Sequence, residues 1–320
     1  MKNNFKKAFS LIEISIVILV VGILIAGISK GVDLVYDMRL ATARALTDKA
    51  PMFGMENLEM WLETTSENSL ATGTTSFTNV KNPDDKASIG RWNDLNPTLI
   101  NPNNKNHAVQ ATSSFQPLYI KDGINGLPAL FFDGSNDYIA SITKFTVIKN
   151  FTVFVVGFPI KNLTKPCVFN SGNFAGVTNQ KYIFYPLQGG VVYAGNNAVG
   201  GGVSICESFI ASVEHGDSYM PYIMSNQREI KKPIQFTLKY ANGASKLYIN
   251  ATDSYSANAS GRNVFPSLSF GGGRPGGGYG EDYGYFKGFI GEIIVYSADL
   301  NDADRKLIEA YLIEKWRIKL

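Results

Sequence analysis

A single carboxylate, Glu13, stands inside an otherwise apolar stretch that runs from Phe9 to Ser29. An ionisable group placed in a membrane span costs roughly 2.5–3.5 kcal/mol near the helix centre, so such a residue is a functional candidate by default. The other residues with chemical capacity are sparse. His107 and His215, the only histidines, fall in no nucleophile or zinc motif, and triad or metallohydrolase chemistry has no support. Glycan hydrolysis needs two carboxylates about 5–9.5 Å apart. A Glu-x-Asp-x-Glu alternation would set them on one strand face, and none occurs. Glu281 and Asp282 sit in a glycine-rich loop, and Glu292 reads as a surface or edge position. On these grounds the chain is expected not to be an enzyme.

Three further groups are candidate ligand sites. Gly271-Gly-Gly-Arg-Pro-Gly276 fits G-x-G-x-x-G, but Pro275 and the glycines after it disfavour the helix that a phosphate cradle requires, so it reads as a loop. Tyr279, Tyr283 and Tyr285 in that loop have ring faces suited to sugars, or to packing over a sheet edge. Asp133, Asn136 and Asp137 offer oxygen ligands of the kind calcium takes, the one cofactor in view. The same Asp-Gly-Ser-Asn-Asp run is also ordinary turn chemistry. Cys167 and Cys206 are the only cysteines, and either one disulfide or two separate thiols fits an exported domain.

The elements that must position these groups follow from patterning. The net charge of +3 rests on 18% charged residues, with Lys2, Lys6 and Lys7 crowded at the start and no nucleic-acid footprint elsewhere. The apolar run after them is about 20 residues long, enough to cross a bilayer core, and the lysines should stay on the cytoplasmic side. Lys30 to Lys49 continues with good helix formers and no proline before Pro51, which predicts one helix of roughly 60 Å from Phe9 onward. Beyond a boundary near residue 55, short apolar runs alternate with turn signals: 129–132, 151–158, 182–185, 234–240, 246–249 and 289–296. Several such strands predict a β-sandwich, with Asn242-Gly243 as a hairpin turn inside a loop longer than two residues. A closing helix is capped by Asn301, carries Asp302 and Asp304 in its first turn, and turns Leu307, Ile308, Tyr311, Leu312 and Trp316 to one face.

Two resemblances extend this reading. Lys6-Lys7-Ala8-Phe9-Ser10-Leu11-Ile12-Glu13 resembles the class III signal of type IV pilins and type II secretion pseudopilins. The resemblance implies cleavage by a prepilin peptidase between Ala8 and Phe9, methylation of the new Phe9 amine, and pairing of Glu13 with that amine on a neighbouring subunit. Ala8 stands where the family usually has glycine. Residues 56–320 resemble a bacterial laminin-G-like domain of the concanavalin A-like lectin and glucanase superfamily. The matching pieces are 58–62, Arg91-Trp-Asn-Asp94, 126–134 with Asp137-Tyr138, 151–157, 246–250 and 291–296. That implies a mainly β fold: a jelly-roll of two antiparallel sheets with a C-terminal helix, most of whose members bind glycans or proteins and some of which cleave polysaccharides. The expected organisation is a leader at 1–8, a transmembrane and stalk helix at 9–54, and the sandwich at 55–320. The chain is thus expected to be a minor pilin or pseudopilin of the bacterial inner membrane, single-pass, with its C-terminal domain periplasmic or at the cell surface. Its expected partners are the prepilin peptidase, other pilin-like subunits and a glycan or protein ligand, not nucleic acid. The alternative is an adhesin module on a simple anchor.

Overall fold

The computed structural model describes residues 11–141, 150–160, 232–241, 244–258, 268–271 and 286–320, plus the backbone of four short strands between residues 184 and 224. The chain divides into two compact units, Met1–Thr42 and Ala43–Leu320. Helix α1 (Leu11–Thr47) has 37 residues and is therefore about 55 Å long at 1.5 Å per residue. It is long and apolar enough to cross a membrane. Two of its hydroxyls are satisfied locally: Ser15 Oγ donates to Leu11 O and Thr42 Oγ1 to Met38 O, each at 2.8 Å. A hydroxyl bonded back onto its own helix needs no water, which suits it to apolar surroundings.

The second unit starts with the last turn of that helix and a 3₁₀ turn at Pro51–Gly54. Strands β1 (Leu58–Glu63), β2 (Leu70–Thr72), β3 (Thr78–Asn79), β4 (Arg91–Trp92) and β5 (Ala108–Val109) come first. They are followed by β6 (Leu118–Ile124), β7 (Leu127–Asp133), β8 (Ile139–Ser141) and β9 (Phe151–Pro159). Short strands β10 (Phe184–Pro186), β11 (Gly195–Asn196), β12 (Phe209–Ser212) and β13 (Tyr222–Met224) lead to β14 (Ile234–Ala241), β15 (Ala244–Ile249) and β16 (Asp253–Asn258). β17 (Leu268–Phe270), β18 (Lys287–Tyr296) and helix α2 (Asp302–Trp316) complete the chain.

An eight-stranded sheet runs β16-β15-β14-β9-β18-β7-β6, with β1 also paired to β18. A seven-stranded sheet runs β10-β17-β8-β5-β4-β2-β3, and β11-β12-β13 form a third. Among the described strands every pairing is antiparallel. Strands β9 and β18 lie in the middle of the large sheet and are buried on both faces, so their sequences are near-continuous apolar runs. Successive residues serve opposite faces. Met60, Leu62, Val153, Val155, Ile293 and Val295 join one cluster with Leu70, Trp92, Ile139 and Phe270 of the second sheet. Their neighbours Trp61, Phe154, Val156, Ile294 and Tyr296 join another with Ile308, Tyr311, Leu312 and Trp316 of α2.

Gly291 is where β18 changes partner. Residues Lys287 to Ile290 pair with β7 and Glu292 to Tyr296 with β1, while the register against β9 slips between Ile290 and Glu292. The extra residue of this bulge resets the alternation of faces. Ile290 therefore points into the cluster shared with the second sheet, and Glu292 points toward α2.

Loops close two strands of the large sheet, β1 and β6. Along β1, Trp61 N donates to Asp94 Oδ1 (2.8 Å), Asn96 Nδ2 donates to Leu58 O and Asn106 Nδ2 to Glu59 O (each 2.6 Å), and Leu95 N donates to Trp61 O (2.8 Å). Along β6, Lys86 N donates to Tyr119 O (2.7 Å) and Tyr119 N to Ala87 O (2.8 Å).

Two hairpin connections shape the large sheet. The β14–β15 ladder extends to Ala241↔Ala244, which leaves room for a connection of two residues rather than the longer loop expected; Asn242 and Gly243 themselves lie outside the described residues. The hairpin between β6 and β7 is turned by Asn125 (φ 51°) and Gly126 (φ 83°), both left-handed, as a two-residue turn matched to strand twist requires. Asn125 Nδ2 also donates to Trp316 O (2.8 Å) and Arg317 O (3.1 Å), satisfying carbonyls at the end of α2 where Arg317 turns left-handed (φ 51°).

Candidate functional site

The residues with the most unusual placement meet where α2 crosses β1 and β18. Glu63 and Glu292 are direct cross-strand partners in the β1–β18 ladder. Side chains so placed have Cβ atoms about 4.5–5.5 Å apart, and like charges there repel. Lys315 descends from α2 between them, its Nζ 2.9 Å from Glu63 Oε2 and 2.8 Å from Glu292 Oε2, with all three side chains at 0% exposure. Tyr311, one helical turn earlier, places its hydroxyl 3.1 Å from Lys315 Nζ and donates to Glu292 Oε1 at 2.9 Å.

Every carboxylate oxygen in this cluster has donors. Trp61 Nε1 donates to Glu292 Oε1 and Trp316 Nε1 to Glu292 Oε2, each at 2.7 Å. Glu63 Oε2 accepts from Thr65 N (2.7 Å) and the Thr65 hydroxyl, and Oε1 accepts from Ser66 N (2.6 Å). Burial raises the Glu63 pKa, but the Lys315 ammonium and the Thr65 and Lys315 hydrogen bonds outweigh it and hold the carboxyl below its ordinary value. For Lys315 the same burial works against the charge, yet Glu292 and Glu63 prevail and raise its pKa above normal. Burial, then the Glu292 charge, push the Tyr311 phenol well above its usual range. The cluster is closed to solvent, and no polymer substrate reaches it as it stands.

A second buried pair ties the first half of α2 to the sheet. Arg305 Nη1 bonds Glu309 Oε2, Thr237 Oγ1 donates to Glu309 Oε1 (2.7 Å), and the Arg305 guanidinium lies 3.9 Å from the centre of the Tyr248 ring. Asn301 caps this helix as its sequence predicts, Oδ1 accepting from Asp304 N at 2.9 Å. Ile308, Tyr311, Leu312 and Trp316 form the buried face, whereas Leu307, expected there, is 56% exposed. Glu292, expected at the surface or an edge, is instead fully buried, because the Gly291 bulge turns it toward the helix.

The expected calcium ligands are engaged with their own turn. Asp133 Oδ1 accepts from Ser135 N (2.7 Å) and Asn136 N (3.3 Å), and Asp137 Oδ2 accepts from Asp133 N (2.9 Å). Burial, with a smaller contribution from the Asp133 charge, pushes Asp137 up to about 6. Among the described residues no group of three or more His, Cys, Asp or Glu side chains is placed to hold a metal. Glu13 lies in the first turn of α1. Ala8, Phe9, Cys167, Cys206, His215, Tyr279, Glu281, Asp282, Tyr283 and Tyr285, and 272–276 of the glycine motif, lie outside the described residues.

His107 has a structural role that its sequence context does not show. Its Nδ1 accepts from Asp94 N at 3.0 Å, and burial, then the charges of Arg91 and Lys105, lower its pKa to about 4. Between that value and the unfolded histidine's ~6.5 the folded chain binds fewer protons than the unfolded one, so stability rises with pH across this interval. The His107→Asn variant should lack this dependence. Urea titrations at pH 4 and pH 7 should show wild type losing about 2 kcal/mol more than the variant on acidification; equal losses would refute the assignment.

No protein-family model and no curated protein matches the sequence. Solved structures similar to it include domain 4 of AbnA, a GH43 extracellular arabinanase from Geobacillus stearothermophilus in complex with arabinotriose (14% identity, TM-score 0.40, 60% of this chain and 80% of that one). Trypanosoma rangeli sialidase in complex with sialic acid is 12% identical with a TM-score of 0.42, over 81% of this chain and 33% of the sialidase. A GH54 arabinofuranosidase complexed with arabinofuranosyl-α-1,2-xylobiose is 12% identical with a TM-score of 0.47, over 81% of this chain and 62% of that one. The chain thus spans a third of the sialidase and less than two thirds of the arabinofuranosidase. Beside glycosidases and a sialidase, the expectation of a non-enzyme is corrected and withdrawn. The reason is physical: a search for alternating carboxylates along one strand misses carboxylates brought together from separate strands, as Glu63 and Glu292 are. Likenesses at these TM-scores assign no reaction or ligand to this chain.

Proposed function

We propose that the chain is a pilin-like envelope protein of the minor pilin or pseudopilin kind. In this reading a prepilin peptidase cuts it between Ala8 and Phe9, the Phe9 amine is methylated, and α1 anchors it in the inner membrane. The second unit, read as a concanavalin A-like jelly-roll, presents a lectin-like binding surface outside the cytoplasm, with Tyr279, Tyr283 and Tyr285 as the stacking residues for a glycan. The observation that carries this proposal is Glu13, a carboxylate in the first turn of a membrane-length apolar helix, preceded by Lys6 and Lys7. Such a carboxylate is tolerated in lipid when a fixed ammonium neutralises it, and a freshly cut amine on an adjacent copy supplies one.

Coexpression with a prepilin peptidase should yield a chain lacking Met1 to Ala8, detected by intact mass and N-terminal sequencing. An N-terminus unchanged by the peptidase refutes the processing and leaves a simple anchor. The Glu13→Ala variant should insert in the membrane as wild type does. Its yield of cross-linked multimers should fall about tenfold, the equivalent of 1.4 kcal/mol of lost pairing. Normal assembly of that variant removes the pairing role.

A further inference from the structure

We propose that the buried cluster beneath α2 makes its own covalent bond: an amide between Lys315 Nζ and the side-chain carboxyl carbon of Glu63. The inference does not depend on how the N-terminus is processed. It rests on four observations. The nucleophilic nitrogen lies 2.9 Å from a Glu63 oxygen, and both side chains have 0% exposure. Held this way, the two groups react as one molecule, with the entropic cost of meeting already met by the fold. The walls are Trp61, Trp316 and Tyr311, all buried, so bulk water that would reverse the reaction is absent. The Glu63 carboxylate lies against two backbone donors, Thr65 N at 2.7 Å on one oxygen and Ser66 N at 2.6 Å on the other. Fixed donors of this kind stabilise the charge of a tetrahedral adduct. Finally, a second carboxylate, Glu292, stands 2.8 Å from the same nitrogen.

The step balances without any co-reactant. One ammonium proton passes to Glu63, which leaves a free amine facing a neutral carboxylic acid; the cluster opposes this transfer, since it holds Glu63 below and Lys315 above their ordinary values, and the fixed juxtaposition of the two groups offsets that cost. The nitrogen lone pair attacks the Glu63 carboxyl carbon. Glu292 takes a proton from the attacking nitrogen and returns it to the departing hydroxyl, which leaves as water. One N–C bond forms, one C–O bond breaks, nothing is oxidised or reduced, and Glu292 ends as the carboxylate it began as. Trp61, Trp316 and Tyr311, each donating to Glu292, orient it for that relay. The product joins the first strand of the large sheet to the last helix across 252 positions of sequence. Nearly the whole second unit becomes a covalent ring, and tension applied to β1 passes directly to α2.

The test uses the purified full chain in detergent. Its denatured mass should be lower than the sequence mass by one water, whatever the state of the N-terminus, and proteolysis should release a branched peptide containing Glu63 and Lys315. The branched peptide separates this bond from succinimide formation at Asp133-Gly134, which removes the same mass. Lys315→Met should restore the full mass and abolish the branched peptide. Glu292→Gln should do the same while the chain keeps its wild-type circular dichroism. Wild-type chain at full mass without the branched peptide overturns the proposal, and a persistent bond in Glu292→Gln overturns the relay.

Discussion

Measured against chain in which Lys315 and Glu63 are still an ion pair, replacing Lys315 with methionine should lower the stability of the second unit by about 3–5 kcal/mol, the usual effect of removing one partner from a buried ionic group. Methionine fills much of the same space, so the loss is electrostatic rather than a cavity. Glu63 and Glu292 are left opposite each other across the β1–β18 ladder with no cation between them. At roughly 2–4 °C per kcal/mol for a domain of this size, the melting temperature should drop by about 10 °C. The pH dependence gives a second check. Without the ammonium the facing carboxylates titrate above their unfolded values, so the penalty is full at neutral pH and fades as the pH falls through the raised folded values. Melts of wild type and variant at pH 7 and pH 5 should therefore converge on acidification. A variant that melts with the wild type at neutral pH would mean that water or a counter-ion enters the cluster.

Gly291→Ala should cost about 3 kcal/mol, at the upper end of ordinary overpacking. A Cβ at this position would lie 2.4 Å from Trp316 Cη2 and 2.7 Å from Cζ3. The indole cannot retreat cheaply, since it is fully buried and its Nε1 is committed to Glu292 at 2.7 Å. The strand cannot shift either, because Thr64 Oγ1 donates to Gly291 O (3.2 Å) and to Pro128 O where β1 and β7 meet on one side of β18. If the ring is the obstacle, Gly291→Ala should cost much less in a Trp316→Leu background than in wild type. Chemical denaturation of the four proteins in that cycle measures the coupling. Additive losses would place the strain in the backbone rather than against the indole.

How much of this could be read from the sequence depended on whether a feature was local. The apolar run after the first lysines announces α1, and the β-branched and aromatic runs of β9, β14 and β18 announce buried strands. The cap at Asn301 needs only its own turn to form, and it forms as expected. The bulge at Gly291 is different, because it exists only where β18 leaves one partner for another. The facing of Glu292 follows from that bulge, so a strand read in isolation misplaces it. Two signals for the buried cluster were nonetheless present. Lys315 falls four positions after Tyr311 and seven after Ile308, within the apolar stripe of α2, and a lysine there demands buried carboxylates. Glu63 follows Trp61 by two positions and so shares its strand face. Asp94 and Asn106, which satisfy the backbone of β1 from a loop, gave no comparable signal, because their partners lie 33 and 47 positions away.

The loop bonds along β1 and β6 also constrain how copies of this protein meet. A sheet recruits a foreign strand through unspent amide and carbonyl groups on its rim. Here the rim at Trp61 is already occupied by Asp94 and Leu95, and the rim at Tyr119 by Lys86 and Ala87. Donation of a strand from a neighbour would have to evict these native bonds first, so sheet sharing is disfavoured along β1 and β6, on the side of β18 away from β9. A neighbour's strand is thus turned away at Trp61 and Tyr119 by bonds that the chain makes to itself.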